Sequence, residues 1–182
     1  MRKVLIIALF LCPFLLFAQD YQADYVVKDK VLVKYRGVSR NVVIPPKLGI
    51  NRIGVRAFAN TPVQSVVIPM GVGFIDERAF MGCSFLKDVT LPNTLANLGR
   101  RAFFNCSMLE NINIPRSLLV IEDGAFFNCR SLKEIDIPDT LKSLGSRAFS
   151  GCLGLEKVSL SRRTKLGEHP FMGVSCQITF RE

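Results

Sequence analysis

Apolar residues recur along this chain with a period of about 23 residues. Each period opens with two apolar residues two positions apart, a spacing that predicts a β-strand with one buried face. A proline follows and ends the strand, because it has no N–H to donate to a continuing ladder. These prolines, 24 or 23 residues apart, are Pro45, Pro69, Pro92, Pro115 and Pro138. The repetition predicts a solenoid in which each coil buries its apolar face against the next.

The second half of each period holds a shorter apolar pattern and an Ala-Phe pair. In three successive coils two apolar residues lie three apart, at Leu95/Leu98, Leu118/Ile121 and Leu141/Leu144. This spacing predicts a turn of helix or 3₁₀ structure. A small residue beside a large one lets stacked coils interlock while the ring fills the centre. The pairs are Ala57-Phe58, Ala79-Phe80, Ala102-Phe103, Ala125-Phe126 and Ala148-Phe149.

Both ends depart from the pattern, as expected of caps that shield a solenoid core from water. Between Tyr25 and Tyr35, a polar centre at 28–30 separates two strand-forming runs, which predicts a hairpin covering the first coil. A degenerate sixth coil opens at Leu155, and alternating apolar residues over 176–180 predict a short final strand.

The first 18 residues have the composition of a secretory signal peptide. Arg2 and Lys3 precede an unbroken apolar run from Val4 to Phe17, and cleavage is expected after Ala18. A membrane anchor is the alternative, but the run is shorter than the roughly 20 residues that span a bilayer. A lipoprotein is a second alternative because of Cys12, although Leu11 stands before it where a small residue is expected. We therefore expect an exported chain without an integral span after cleavage.

The length that remains after removal of residues 1–18 is enough for one domain with a sizeable core. The expected division is a signal peptide over 1–18, an N-terminal cap over 19–40 and a solenoid over 41–182. The 182-residue chain has a formal charge of +9, and removing Arg2 and Lys3 lowers it to +7. This excess favours anionic partners, although moderate charge usually reports solubility.

One cysteine stands at the same position of four coils. These residues are Cys83, Cys106, Cys129 and Cys152. Stacked coils lie close enough for disulfides, but in-register side chains point the same way, which disfavours bridging. Ligands 23 residues apart in a line do not surround one metal ion. Buried free thiols are therefore favoured, with disulfides as the alternative, and no metal or cofactor is predicted.

The pattern LxxVxIPxxLxxIGxxAFxxCxx resembles that of the BspA-like, or treponemal-type, leucine-rich repeat family. Segments that carry it include DVTLPNTLANLGRRAFFNC, NINIPRSLLVIEDGAFFNC and EIDIPDTLKSLGSRAFSGC. The resemblance covers about residues 35 to 180. It implies a right-handed leucine-rich-repeat superhelix with a concave parallel β-sheet, and short helical or 3₁₀ turns and loops on the convex side.

The resemblance also implies an exported or surface-exposed bacterial binding module that adheres to host proteins or other cells. Members are generally not enzymes. The repeat motif specifies the scaffold, so no binding residue transfers with it. The alternative function is a periplasmic or envelope scaffold that binds another bacterial component.

Two sets of variable, outward-facing positions are the candidate binding residues. The first set follows the centre of the concave sheet and is mostly polar. It consists of Ser65, Val67, Asp88, Thr90, Asn111, Asn113, Glu134, Asp136, Lys157 and Ser159. Its lack of aromatic anchors fits a solvated face equally well, although curved solenoids tend to bind through this surface.

The second set, which we call the arginine strip, is the residue before each Ala-Phe pair. It comprises Arg56, Arg78, Arg101 and Arg147, with Arg100 beside them and Gly124 in the remaining coil. Stacked like charges predict a docking strip for an anionic glycan, phosphate or acidic protein. Neighbouring carboxylates at Asp76, Glu77, Glu122 and Asp123 offer the alternative of internal neutralisation.

Catalysis finds little support in the sequence. The single histidine, His169, precedes Pro170 in the degenerate last coil, where a turn is expected. A pairing of His169 with Cys152 or Cys176 would need accessible thiols, whereas the column predicts burial. No recognised nucleic-acid motif is present. We therefore expect a protein or anionic glycan ligand and no enzyme activity.

Overall fold

The computed structural model of the protein describes residues 23–182 and is a parallel β-solenoid. The predicted signal peptide lies outside the described residues. Each coil contributes one strand to each of two faces. The strands of the concave face are β3 (Asn41–Val43), β5 (Ser65–Val67), β7 (Asp88–Thr90), β9 (Asn111–Ile112), β11 (Glu134–Asp136), β13 (Lys157–Ser161) and β15 (Gln177–Arg181).

The second face is one continuous sheet of eight strands. It consists of β1 (Tyr25–Lys28), β2 (Val31–Tyr35), β4 (Arg52–Ile53), β6 (Phe74–Ile75), β8 (Asn97–Leu98), β10 (Val120–Ile121), β12 (Ser143–Leu144) and β14 (Lys165–Leu166). Apart from the β1–β2 hairpin, neighbouring strands pair in parallel.

The predicted repeat register is confirmed. On the concave face, Val66 pairs with Val89 and Val89 with Ile112, so equivalent residues of successive coils stand side by side. Adjacent coils are also joined around the turns, where the Phe80 N–H donates to the carbonyl oxygen of Ala102 at 2.8 Å.

Stacked aromatic rings fill the centre of the solenoid. The phenylalanines of the five Ala-Phe pairs are fully buried, and their neighbouring ring centroids lie 4.8 to 5.4 Å apart. Tyr35 continues this ladder into the N-terminal cap, and Phe171 continues it into the last coil. The Ala-Phe pairs therefore have the core role expected from the sequence.

The apolar pairs spaced by three do not form helical turns in these coils. The Leu95 N–H bonds the carbonyl oxygen of Pro92 in a single turn, and Asn97–Leu98 then forms a strand. The strand prevails because Leu98 pairs with Ile75 on one side and Ile121 on the other. The one 3₁₀ helix of the described chain, Pro46–Leu48, lies in the irregular first coil.

The predicted N-terminal hairpin is present. Strands β1 and β2 pair antiparallel around Asp29 and Lys30, whose φ angles of 50° and 62° suit a tight hairpin turn. Strand β2 then pairs with β4, so the hairpin begins the second sheet. No helix of residues 23–182 is long and apolar enough to cross a membrane.

Candidate functional site

The structure places the ten concave-face candidates in two neighbouring columns. One column contains Ser65, Asp88 and Asn111, then Glu134 and Lys157. The other contains Val67 and Thr90, then Asn113, Asp136 and Ser159, with Asn113 just beyond the end of its strand. All but Ser65 and Ser159 are exposed, and those two are half-buried.

Few of these side chains are held by one another. Asn111 donates to the Asp88 carboxylate at 2.7 Å, and Lys157 lies 3.6 Å from that of Glu134. Asp136 is bound by Arg181 of the last coil at 2.7 Å. Exposed pairs of this kind contribute little to stability, so the columns remain available for another molecule.

The concave face is divided by a seam between β9 and β11. Strands β3, β5, β7 and β9 form one sheet and β11, β13 and β15 another, with no pairing between them. The equivalent N–H groups of Ile68 and Ile137 donate to Thr90 and Ser159 of the next coils, at 3.0 and 2.9 Å. The N–H of Ile114 has no such partner among the described residues.

One coil before the seam, the side chain of Asn113 replaces part of the backbone pairing. Its side-chain amide accepts a hydrogen bond from Leu91 N at 2.7 Å and donates one to Leu91 O at 2.9 Å. The side chain thereby takes the place of a backbone partner. Ile112 and Ile114 are only partly buried, whereas the equivalent Ile135 and Ile137 are buried, so the seam exposes apolar surface.

A groove of about 740 Å³ lies over the seam on the concave face. Four carboxylates and one lysine are among its lining residues: Asp88, Glu110, Glu134, Glu156 and Lys133. The groove is thus acidic, although the chain carries an excess of basic residues. The excess of basic residues therefore lies outside this groove, and part of it is the arginine strip.

The arginine strip has an unusual backbone conformation. Arg56, Arg78, Arg101 and Arg147 all have φ angles between 54° and 56°, and Gly124 has 60°. This left-handed region costs a residue with a Cβ about 1 kcal/mol or more and favours glycine. Glycine, as at Gly124, is therefore the residue best suited to this turn. The four arginines adopt the same conformation at a cost in backbone strain.

Neighbouring carboxylates neutralise little of the strip. Glu77 pairs with Arg78 at 2.9 Å. Asp76 instead pairs with Arg52 at 2.5 Å, and Glu122 accepts hydrogen bonds from Asn97 and from the Arg100 N–H. Within residues 23–182, no ion pair involves the side chain of Arg56, Arg100, Arg101 or Arg147.

The four cysteines of the column are buried free thiols, as the sequence favours, and Cys176 is free and half-buried. Each column thiol lies 3.0 to 3.2 Å from the carbonyl oxygen of a phenylalanine in the preceding coil and donates to it. Burial raises the pKa of the Cys106 and Cys129 thiols well above the ordinary range. Cys106 and Cys129 are therefore structural groups and poor nucleophiles.

His169 occupies the strip position of the last coil, with φ of 47°. It is exposed, while Cys152 is buried and bonded to Phe126, so the histidine and this thiol do not form a catalytic pair. No cluster of three or more His, Cys, Asp or Glu side chains in the described part of the chain is placed to hold a metal ion.

Sequence reasoning missed two features of these surfaces. The first is that Glu110, Lys133 and Glu156 line the groove. The sequence pattern that could have indicated this is a charged residue directly before the concave-face strand in three successive coils. A second column of left-handed residues lies directly before the position of the column cysteines, which Thr61 occupies in the first coil. The sequence signal for it was that only asparagine or glycine occurs at this position. Its members are Asn60, Gly82, Asn105, Asn128 and Gly151.

A solenoid of short parallel strands, with an aromatic ladder inside and polar columns outside, defines a protein-interaction scaffold of the leucine-rich repeat class. Proteins built this way are typically binding modules. The chain belongs to the family with a BspA type leucine rich repeat region, whose pattern matches six copies over residues 51–178. No curated protein matches the chain significantly.

Solved bacterial structures share this fold. The Treponema pallidum leucine-rich repeat protein is 27% identical with a TM-score of 0.71, over 86% of this chain and 81% of that one. A leucine-rich cell surface protein from Faecalibacterium prausnitzii is 29% identical with a TM-score of 0.73, over 84% of this chain. The match covers less than half, 45%, of the Faecalibacterium chain.

Proposed function

We propose that this protein is an exported binding module whose concave face recognises a protein partner in adhesion to host or neighbouring-cell components. The observation that carries the proposal is the acidic groove over the seam. It combines open volume, the half-buried Ile112 and four carboxylates, of which Glu110 and Glu156 have no side-chain partner among the described residues. This combination suits a partner segment with apolar and basic side chains.

Export rests on the predicted signal peptide and on the likeness to a protein described as a cell surface protein. Cleavage after Ala18 would give a mature chain that begins at Gln19. N-terminal sequencing of the protein from its native host tests this.

Adding protease to intact cells distinguishes the two exported locations. Digestion supports surface display, whereas protection supports the alternative of an envelope scaffold that binds another bacterial component.

The groove is tested by charge reversal. The double variant Glu110→Lys/Glu134→Lys and the wild type are compared as bait on host matrix and on envelope extracts. A partner retained by the wild type and lost by the variant supports the groove as the binding surface. The control Asp29→Lys/Glu182→Lys changes the net charge equally, away from the groove, and should retain the partner. Equal retention by both variants contradicts the proposal.

A second ligand class is suggested by the arginine strip, where Arg56, Arg101 and Arg147 form no ion pair among residues 23–182 and guanidinium groups suit bidentate contacts with sulfate, phosphate and carboxylate. The salt concentration at which the protein elutes from a heparin column measures how strongly the strip binds an anionic ligand. A variant with Arg56, Arg78, Arg101 and Arg147 replaced by serine should elute at clearly lower salt, and unchanged elution contradicts a role for the strip.

A further inference from the structure

The arginine strip is interrupted once, at Gly124, and the missing side chain leaves a notch. Backbone hydrogen bonds stack this turn between those of Arg101 and Arg147, since Arg101 N donates to Asp123 O and Gly124 N to Ser146 O, each at 2.9 Å. The notch has a volume of about 420 Å³. That size lies within the range of about 300–1,000 Å³ typical of small-ligand pockets.

The cationic groups at the notch are Arg100, Arg101 and Arg147. None of them forms an ion pair with another residue of 23–182. The guanidinium of Arg101 lies instead 5.6 Å from the ring centroid of Phe104. An aromatic contact leaves the planar N–H fork of arginine available for an oxyanion.

One wall of the notch is apolar. The rings of Phe104 and Phe127 stack at 5.1 Å with an interplanar angle of 8°, outside the core ladder, and both residues are half-buried. The stacking covers one face of each ring, and the remaining apolar surface of the two side chains lines the notch. Such a wall can contact the C–H groups of a ring-shaped ligand.

Hydrogen-bond acceptors complete the lining. Asp123 accepts from Ser146 N at 2.7 Å and Glu168 is exposed, so both carboxylates keep oxygen lone pairs free. These groups disfavour a bare phosphate or sulfate ion but accept hydrogen bonds from hydroxyl groups. The notch therefore suits a ligand that carries both an anionic group and hydroxyls.

We propose that the notch at Gly124 binds an acidic sugar residue of a polysaccharide, with its carboxylate or sulfate on Arg101 and Arg147. Its hydroxyls bond Asp123 and Glu168, and its apolar face contacts Phe104 and Phe127. This site is separate from the acidic groove, and it rests on and narrows the anionic-ligand role proposed above for the arginine strip.

The sharpest test is Gly124→Arg, which fills the notch and adds positive charge. The chain tolerates arginine at this position of four other coils, with the same backbone conformation. Binding to heparin, which carries sulfates and carboxylates, and to polygalacturonate, which carries carboxylates alone, is measured by calorimetry at physiological salt. We expect the variant to weaken binding at least about tenfold, the loss of a good charge-assisted contact.

A general basic strip makes the opposite prediction, because an added arginine would strengthen binding. Unchanged or tighter binding by Gly124→Arg therefore overturns the proposal. The matched control Arg56→Gly makes the reverse exchange in the first coil and should leave affinity unchanged. Loss of binding to heparin but not polygalacturonate assigns the anionic group as sulfate, and parallel loss assigns it as carboxylate.

Two further measurements keep the proposal falsifiable if Gly124→Arg fails to fold. Arg147→Gln removes an exposed cation without disturbing the core and should also weaken binding at least about tenfold, and an unchanged affinity overturns the site. Sodium sulfate at matched ionic strength should compete poorly, because it offers no hydroxyls; full competition overturns the sugar assignment. The Glu110→Lys/Glu134→Lys variant should bind the polysaccharide normally, which separates this site from the groove.

Discussion

The Sγ atom of Cys106 lies 3.1 Å from the carbonyl oxygen of Phe80, one coil earlier, and donates a hydrogen bond to it. The thiol thus joins two coils as well as filling core volume. Cys106→Ala removes both contributions and should lower the free energy of unfolding by about 1–3 kcal/mol, measured by chemical denaturation. Cys176→Ala in the half-buried last coil is the control and should cost less than about 1 kcal/mol. Equal costs would contradict a structural role specific to the column.

Alkaline pH should destabilise the protein through two thiols of this column, Cys106 and Cys129. Burial raises the pKa of Cys106 and Cys129 in the folded state, so the folded protein holds these protons where the unfolded chain loses them. Their contribution is complete below the unfolded pKa of about 8.5 and declines as pH rises above it. Denaturation midpoints at pH 7 to 10 should show this decline, and Cys106→Ala/Cys129→Ala should flatten it. An identical pH profile for both proteins would refute the linkage.

Gly151 and Gly173 separate backbone strain from steric overlap. Their φ angles are 73° and 75°, but a Cβ at Gly151 would overlap the side chain of Asn128, while one at Gly173 meets nothing within 4 Å. Gly173→Ala should therefore cost about 1–2 kcal/mol, from the left-handed backbone alone. Gly151→Ala should cost at least about 1 kcal/mol more, by thermal or chemical denaturation. Equal losses would mean that Asn128 moves aside freely.

Adjacent phenylalanines in one turn should differ sharply in their effect on stability. Phe103 is fully buried in the core ladder, whereas Phe104 belongs to the half-buried outer pair. We expect Phe103→Ala to cost about 3–5 kcal/mol and Phe104→Ala clearly less. Polysaccharide binding should show the opposite order, because Phe104 lines the notch proposed to bind a sugar and Phe103 does not. Chemical denaturation measures the two stability costs, and calorimetry with heparin measures the binding.

Hydrogen exchange should reveal the seam. The amide of Ile114 has no hydrogen-bond partner among the described residues, whereas the equivalent amides of Ile68 and Ile137 are bonded to the next coil. Ile114 should therefore exchange much faster than the other two in native-state measurements by NMR. Similar protection at all three positions would show that β9 and β11 pair in solution.

The repeat made most of the fold predictable, because each apolar position was seen several times in the same context. Val66, Val89 and Ile135 stand in the strand positions that alternation predicted, and Cys83 and its equivalents are buried as expected. The interpretation of Leu95 and Leu98 as a helical turn was wrong for a physical reason. A spacing of three fits a turn followed by a strand equally well, and pairing between coils decided the outcome.

The positions of the candidate surfaces were predictable from the sequence, but their ion pairs and their backbone pairing were not. Sequence spacing placed Asp88 and Asn111 side by side, and it aligned Arg101 with Arg147. It did not show that Asp76 pairs with Arg52 rather than with the strip. The seam also escaped prediction, because Asn113 replaces a backbone contact through its side chain, which a periodic pattern does not encode.

The seam has a mechanical consequence. Between the fourth and fifth coils the concave face lacks backbone pairing, while β10 and β12 remain paired on the second face and Phe126 and Phe149 remain stacked between them. Stability in a solenoid is a sum of nearest-neighbour terms, so this junction is weakened on one side alone. We therefore expect this junction to bend more readily than the other coil junctions, with the continuous sheet as its axis. Such bending would change the width of the acidic groove and the curvature of the solenoid.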